Sequence, residues 1–246
     1  KLVDLLTEGD KCYRATMKLG YETDTEDVTG ETTAAGDAAV LAHLTQTDVE
    51  RAILSFVGKY DQIPPMYSAI KKDGKKLYEY ARAGIEIKRE PRLVEIYAIR
   101  DITKEADDIY SFDVYCSKGT YIRSLCRDIG RKLSCLAVLS GLLRKEVHGF
   151  SVTDALTLQE IEARQADGTL QEAILPVDAL LQQYPAYEIT GQAENYLKNG
   201  NKLSPRFFKD MGETRDSRIR VYHAGEFAAL YDYKEEEQIY KPFKMF

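Results

Sequence analysis

Across residues 109–133 the apolar period of the chain changes once, at a glycine. Upstream, Tyr110, Phe112, Val114 and Cys116 fall on one face of "IYSFDVYC", the pattern of a half-buried strand. Downstream, Ile122, Leu125, Ile129 and Leu133 recur at helical spacing and form a core-facing stripe. Between them Gly119 permits a tight turn, and Thr120 is the expected N-cap. Strand and helix must therefore share one core, which points to a mixed class. The same stretch poses a chemical question. Arg123 falls in the first turn of the helix, the end with partial positive charge, where a cation is mildly unfavourable. Either it is a surface arginine reaching back to water, or an anion, carboxylate or phosphate, stands opposite it.

Other segments extend the same texture. "KCYRATMKLG" alternates, with Tyr13, Ala15, Met17 and Leu19 on one face, and reads as a strand against a core. "TQTDVERAILSFVG" reads as a helix with a capping box of Thr47 and Glu50, a stripe of Val49, Ile53, Phe56 and Val57, and a stop at Gly58. A diproline loop (Pro64, Pro65) leads into a short strand, and "KKLYEYARAG" into a short helix ending at Gly84. Strands are expected near 85–89, 93–103 and 109–117, and helices near 121–133 and 158–166. The acidic "TDTEDVTGE" is a loop whose carboxylates lack the spacing of a calcium loop. "KLVDLLTEG" has helical spacing with no cap before it, so the chain is expected to start inside a helix and to be part of a longer polypeptide. Pro176 and Pro185 bracket a short helix, and from about Tyr187 the pattern becomes strand-rich, as in a small β-barrel.

Composition narrows the chemistry. The 246 residues hold 44% hydrophobic and 30% charged side chains, ordinary for a globular protein. Cys12, Cys116, Cys126 and Cys135 form no CxxC pair and read as buried free thiols of a reducing cytoplasm. His43, His148 and His223 are scattered, so neither a metal site nor a histidine-activated nucleophile is expected. The net charge of −6 argues against a nucleic-acid partner, but its distribution argues the other way. Residues 70–92 hold eight Lys/Arg against four Asp/Glu, residues 118–145 seven against one, and residues 202–220 six against three. Such blocks, with Tyr67, Tyr78, Tyr80 and Tyr121 in or near them, suit a phosphate backbone and stacked bases, though each alone is also what a solvated face looks like.

Four stretches carry a resemblance: "DKCYRATMKLGYETDTEDVTG", "QIPPMYSAIKKDGKKLYEYARAGIEIKRE", "YCSKGTYIRSLCRDIGRKLSC" and the region of "GLLRKEVHGFSVTDA". In content and order they resemble the bacterial tRNA pseudouridine synthase B (TruB) family, which isomerises uridine 55 in the T arm of tRNA. The resemblance implies an α+β fold: a mixed, largely antiparallel sheet flanked by helices, incomplete at its N-terminus, over residues 1–183. Within it, residues 62–90 would be an insertion that grips RNA. Residues 184–246 would be a small C-terminal β-barrel of the PUA type, an RNA-binding module. The family's nucleophile is an aspartate in a G-x-L-D-P-x-x-x-G stretch, and no such stretch occurs in these 246 residues.

Further roles follow from the same resemblance. Arg123, in "TYIR", would pair with that aspartate; in its absence the arginine is expected to be solvated, disordered or bound to a stray anion. Tyr13 would stack on the flipped uracil, Tyr121 would sit against the target nucleotide, and Leu142 would line the pocket. A base that must leave its stack needs an aromatic face and apolar walls, although Tyr13 and Leu142 would each also serve as plain core residues. Lys71, Lys72, Lys75 and Lys76 would contact the T-arm backbone. The expected protein is a cytoplasmic, monomeric isomerase acting on the tRNA T-arm stem-loop, with no cofactor, no metal and no membrane, and inactive without the aspartate segment. The alternative is a non-catalytic tRNA-binding or tRNA-folding protein of the same fold.

Overall fold

Strand β1 (Lys11–Leu19) explains the architecture, because its alternation leaves both edges free to pair. It lies between β8 (Ile109–Cys116) and β9 (Ala137–Val147), antiparallel to both. The six-stranded sheet runs β10–β9–β1–β8–β7–β4, antiparallel at every step, with β4 spanning Gly58–Gln62, β7 Arg92–Ala106 and β10 Phe150–Ser151. A small ribbon of β2 (Tyr21–Thr23) and β3 (Thr32–Ala35) holds the acidic loop between its strands. The computed structural model describes Val3, residues 9–213 and residues 215–246; the helix expected at the start of the chain lies outside the described residues, Val3 apart.

One face of the sheet is apolar. Ala15, Met17, Ile96, Phe112, Val114 and Cys116 are fully buried there. Helices α1 (Ala38–His43), α2 (Gln46–Leu54), α3 (Leu77–Arg82) and α4 (Ile122–Lys132) follow in chain order. α2 contributes Val49 and Ile53 to the core, and α4 contributes Ile122, Leu125, Cys126 and Ile129. Gly130 lets the end of α4 approach β9: a Cβ there would stand 2.3 Å from the backbone nitrogen of Ala137. All four cysteines are buried and free, and burial pushes the thiols of Cys116 and Cys135 up to about 11.

Contacts divide the chain between Ala155 and Leu156. The second unit holds α5 (Leu158–Asp167), α6 (Leu170–Ala173) and α7 (Glu194–Lys198). Its sheet runs β11–β12–β13–β14, over Ala186–Glu188, Arg218–His223, Glu226–Lys234 and Ile239–Met245. The 183/184 boundary that the resemblance implies falls inside this unit. Leu181 is fully buried, Arg220 donates to the Tyr184 carbonyl at 2.8 Å, and Tyr222 donates to Asp178 at 2.5 Å.

Several expectations need correction. The capping box of α2 is Thr45 with Asp48, not Thr47 with Glu50, because Thr45 has the extended backbone a cap needs. Val57 lies beyond the helix and is exposed, and Gly58 opens β4 instead of closing α2. Residues 85–89 form no strand, since nothing pairs with them, and Ile85 is exposed. β9 was not foreseen, because Ser140 and Gly141 break its alternation. The C-terminal sheet is open rather than a closed barrel. Among the described residues, only the single bridges Leu203↔Tyr240 and Ile189↔Phe208 form where a ladder would have to close it.

Candidate active site

The turn at Gly119 (φ 80°) delivers the chain into α4. Thr120 is not its cap: its hydroxyl donates to the Ser117 carbonyl at 2.9 Å and closes the turn, while Tyr121 is the N-cap and gives no side-chain bond. A side chain from β4 anchors that residue instead. The Gln62 amide accepts from the Tyr121 N–H at 2.8 Å and donates to the Tyr121 carbonyl at 3.1 Å. Gln62 is 1% exposed, so the amide is committed and Tyr121 is fixed by its backbone, leaving its half-buried ring unencumbered by capping.

Arg123 is half-buried and bonded to the protein. Its guanidinium donates to the Thr25 carbonyl at 3.1 Å and the Tyr67 carbonyl at 2.8 Å. Thr25 lies in the acidic loop and Tyr67 in the segment after the diproline. Among the described residues it has no carboxylate partner. The expected anion is therefore replaced by two neutral dipoles, which orient the group without neutralising it. A guanidinium has five N–H donors in a fixed fork, so donors remain for an anionic group. Next to Tyr67, the Ser68 hydroxyl is buried without a hydrogen-bond partner among the described residues, a state that commonly costs about 1–3 kcal/mol.

One helical turn further on, Arg127 is 5% exposed and Glu26 7%. Arg127 donates through Nη1 to Glu26, and through Nε and Nη2 to Asp128 at 2.9 and 2.8 Å. Its Nη2 also donates to the Ile63 carbonyl at 3.0 Å. Ser124 donates to the second oxygen of Glu26 at 2.7 Å. Burial raises the Asp128 carboxyl above its usual range, against the lowering pull of Arg127. Arg131 forks onto both oxygens of Glu22 at 2.6 and 2.8 Å. Of these, Glu22, Glu26, Arg127 and Arg131 line a cleft of about 410 Å³, bounded also by Asp24, Tyr67 and Arg89. Sequence reasoning missed Gln62, Glu26 and Arg127. The i, i+4 spacing of Arg123 and Arg127 was legible; the Glu26 partner, about a hundred residues away, was not.

Tyr13 and Leu142 come together on neighbouring strands. In the register of β1 and β9, Tyr13 faces Arg144 and Ala15 faces Leu142. Tyr13 is 8% exposed, part of the core, with the Arg144 guanidinium 5.5 Å from its ring centre. Leu142 is 49% exposed, so it is not the ordinary core leucine its neighbours suggested. Leu142 is thus exposed one diagonal step along the ladder from the buried Tyr13 ring, over which the Arg144 guanidinium lies.

The four lysines form a hairpin. β5 (Lys71–Lys72) and β6 (Lys75–Lys76) flank Asp73-Gly74, whose φ values of 50° and 83° are those of a two-residue I′ turn. Lys71 faces Lys76 and Lys72 faces Lys75, like charges directly opposite, which is locally destabilising. Lys72 donates to the Lys88 carbonyl at 2.6 Å, and Lys75 and Lys76 lie 6.0 and 5.5 Å from the rings of Tyr80 and Tyr78. Among the described residues none of the four ammonium groups has a carboxylate partner, although the Lys76 backbone N–H donates to Glu79 at 2.7 Å.

The model of the TruB family pseudouridylate synthase N-terminal domain matches residues 1–122, and that of the tRNA pseudouridylate synthase B C-terminal domain matches residues 123–182. A protein of Alkaliphilus oremlandii named tRNA pseudouridine synthase B is 39% identical over 246 residues, covering all of this chain and 80% of that protein. One of the same name from Bacillus licheniformis is 41% identical over 94% of this chain and 75% of its own length. Among solved structures, a Cbf5-Nop10-Gar1 complex contains a chain with TM-score 0.69 and 21% identity, covering 99% of this chain and 68% of that one. An H/ACA RNP bound to a substrate RNA containing 2'-deoxyuridine gives TM-score 0.68 at 19% identity, covering all of this chain and 68% of that one. These two likenesses concern the fold. Among the described residues, no helix is long and apolar enough to cross a membrane.

Proposed function

The chain belongs to the tRNA pseudouridine synthase B family, and from that membership we propose that it serves the isomerisation of uridine 55 in the T arm of tRNA. The observation that carries this reading is Arg123, a guanidinium fixed by two carbonyls with donors to spare. Its missing counter-ion is the aspartate of the family's G-x-L-D-P-x-x-x-G stretch, which these 246 residues do not contain. Paired with Arg123, that carboxylate stays ionised and aimed. The target uridine leaves its stack, Tyr13 and Tyr121 give it aromatic contact, and Leu142 walls the pocket. The aspartate attacks, the bond from N1 to the ribose breaks, the base rotates and C5 bonds to the ribose; the aspartate is released, C5 gives up its proton and N1 takes one up. The reaction exchanges one bond for another within the substrate, so it calls for positioning and electrostatics rather than redox chemistry. The lysine hairpin holds the T-arm backbone, residues 62–90 form the gripping insertion, and the C-terminal unit acts as a PUA-type RNA module in the cytoplasm.

Turnover of a T-arm stem-loop tests this. A form of the protein carrying the aspartate segment should make pseudouridine, and the 246-residue chain alone should not. In the competent form Arg123→Met should nearly abolish turnover while stem-loop affinity stays within a few-fold, because the pair acts on the chemical step. Near-normal turnover of Arg123→Met would sink the assignment. Stem-loop binding with no turnover in the aspartate-bearing form would favour a tRNA-folding role.

A further inference from the structure

Two of the three arginines of α4, Arg123 and Arg127, reach the same two loops. Arg123 holds the carbonyls of Thr25 and Tyr67. Arg127 holds Glu26, the residue after Thr25, and the Ile63 carbonyl, at the start of the segment that leads to Tyr67. We infer that Glu26 and Arg127 form a positioning clamp that sets where the Arg123 guanidinium points, by fixing both of its carbonyl acceptors from one turn away. The inference rests on the catalytic reading of Arg123, since a clamp matters to turnover only if that group does.

Three features make the clamp stiff. Pro64 and Pro65 lie between Ile63 and Tyr67, so fixing one end of the segment directs the other; Arg89 also ties down the Pro64 carbonyl at 3.1 Å. Glu26 has φ 61°, a left-handed conformation unusual for a residue with a side chain, and it is retained where the Glu26 side chain meets Ser124 and Arg127. The backbone of Glu26 is tied as well: its carbonyl accepts from Leu139 of β9 at 3.2 Å, and the N–H of Val28 donates to the Leu139 carbonyl at 2.9 Å. The acidic loop is thus pinned to the sheet on one side and to α4 on the other. Its remaining acids serve the loop itself, Asp24 accepting from the Glu31 N–H at 2.9 Å and Asp27 from the Thr29 N–H at 3.0 Å. Neither Glu26 nor Arg127 touches the reacting atoms; they act through Arg123.

A merely structural pair would make a different prediction from a positioning pair. Replacing both members of a buried ion pair by apolar residues of similar size commonly preserves or raises stability. Glu26→Met combined with Arg127→Met, in an Asp128→Asn background that removes the third member of the network, should therefore melt near the Asp128→Asn protein, yet leave the two carbonyls unfixed. In the 246-residue chain, the Arg123 Nη–H signals, assigned by their loss in Arg123→Met, should exchange with solvent at least tenfold faster in the double variant. In the aspartate-bearing form kcat should fall at least tenfold, with KM for the stem-loop within twofold. Glu26→Gln alone should produce the same kcat loss and is the second variant should the double one fold poorly. An unchanged Arg123 exchange rate, or a kcat that recovers with the melting temperature, overturns the clamp. The exchange rate reads the clamp whether or not Arg123 is catalytic, and the turnover of Arg123→Met reads catalysis whether or not the clamp exists, so the two failures are distinct.

Discussion

The hairpin Lys71–Lys76 and the helix Ile122–Lys132 both lie in basic stretches of sequence, yet the fold uses their cations in different ways. In the helix, Arg127 and Arg131 end on Glu26, Asp128 and Glu22, and beyond it Lys145 ends on the buried carboxylate of Asp113. In the hairpin four lysines stand in opposed pairs with aromatic rings beside two of them and no carboxylate partner for their ammonium groups among the described residues. Local charge density alone therefore does not identify an RNA-binding surface. What distinguishes the hairpin is that its charge is left uncompensated at a local cost in stability, as expected where an external polyanion is the partner. Arg123 belongs to neither group: it is held by the protein, as its helix neighbours are, and among the described residues it lacks a carboxylate, as the hairpin lysines do.

The largest expected effect is on the helix side. Arg127→Met alone leaves Glu26 buried without its ion pair, and should cost about 3–5 kcal/mol of stability, read from the denaturant midpoint. Alanine at all four hairpin lysines should change stability by less than about 1 kcal/mol, because the residues removed were repelling one another. Equal losses in the two variants would erase the distinction. A steric probe on the same side is Gly130→Ala, whose methyl would meet the backbone of Ala137; a loss of about 1–3 kcal/mol is expected in the same measurement.

How much of this was legible beforehand follows from the range of the interactions. β1 and α4 were readable because their signals are periodic and local: alternation in "KCYRATMKL" and the stripe from Ile122 to Leu133. Residues 85–89 and β9 were misread because a strand exists only with a neighbour, and pairing is decided far along the chain. The α2 cap was displaced because "TQTDVE" offers two threonines with an acid three residues later, and only the backbone conformation chooses between them. Arg123 could be singled out from its conflict with the helix end. Its actual acceptors could not, since backbone carbonyls carry no sequence signal. The hairpin was the one feature overlooked despite a local signature, "KKDGKK", in which Asp-Gly sets a two-residue turn.

A smaller effect sharpens the comparison with the third basic block. There Lys202, with Lys241 nearby, donates to Glu237, and the two lysines hold that carboxyl down at about 2. A depressed carboxyl contributes stability above its unfolded value near 4.5 and loses it as pH falls through about 2. Glu237→Gln should therefore lower the melting temperature slightly at neutral pH, and the gap should close as pH falls from about 4.5 toward 2. A gap independent of pH would mean that this block, like the hairpin, has cations free for an outside partner.

The division of labour between hairpin and helix is tested most directly by the salt dependence of T-arm stem-loop binding, measured side by side for two variants of the aspartate-bearing form. With Lys71, Lys72, Lys75 and Lys76 all changed to alanine, the slope of log affinity against log salt should flatten by about 0.7–0.9 for each phosphate that a lysine no longer neutralises. With Arg123→Met the slope should stay at the parent value while turnover disappears. A parent-like slope in the lysine variant, or a flattened one in Arg123→Met, would contradict the assignment of binding to the hairpin and of chemistry to the helix.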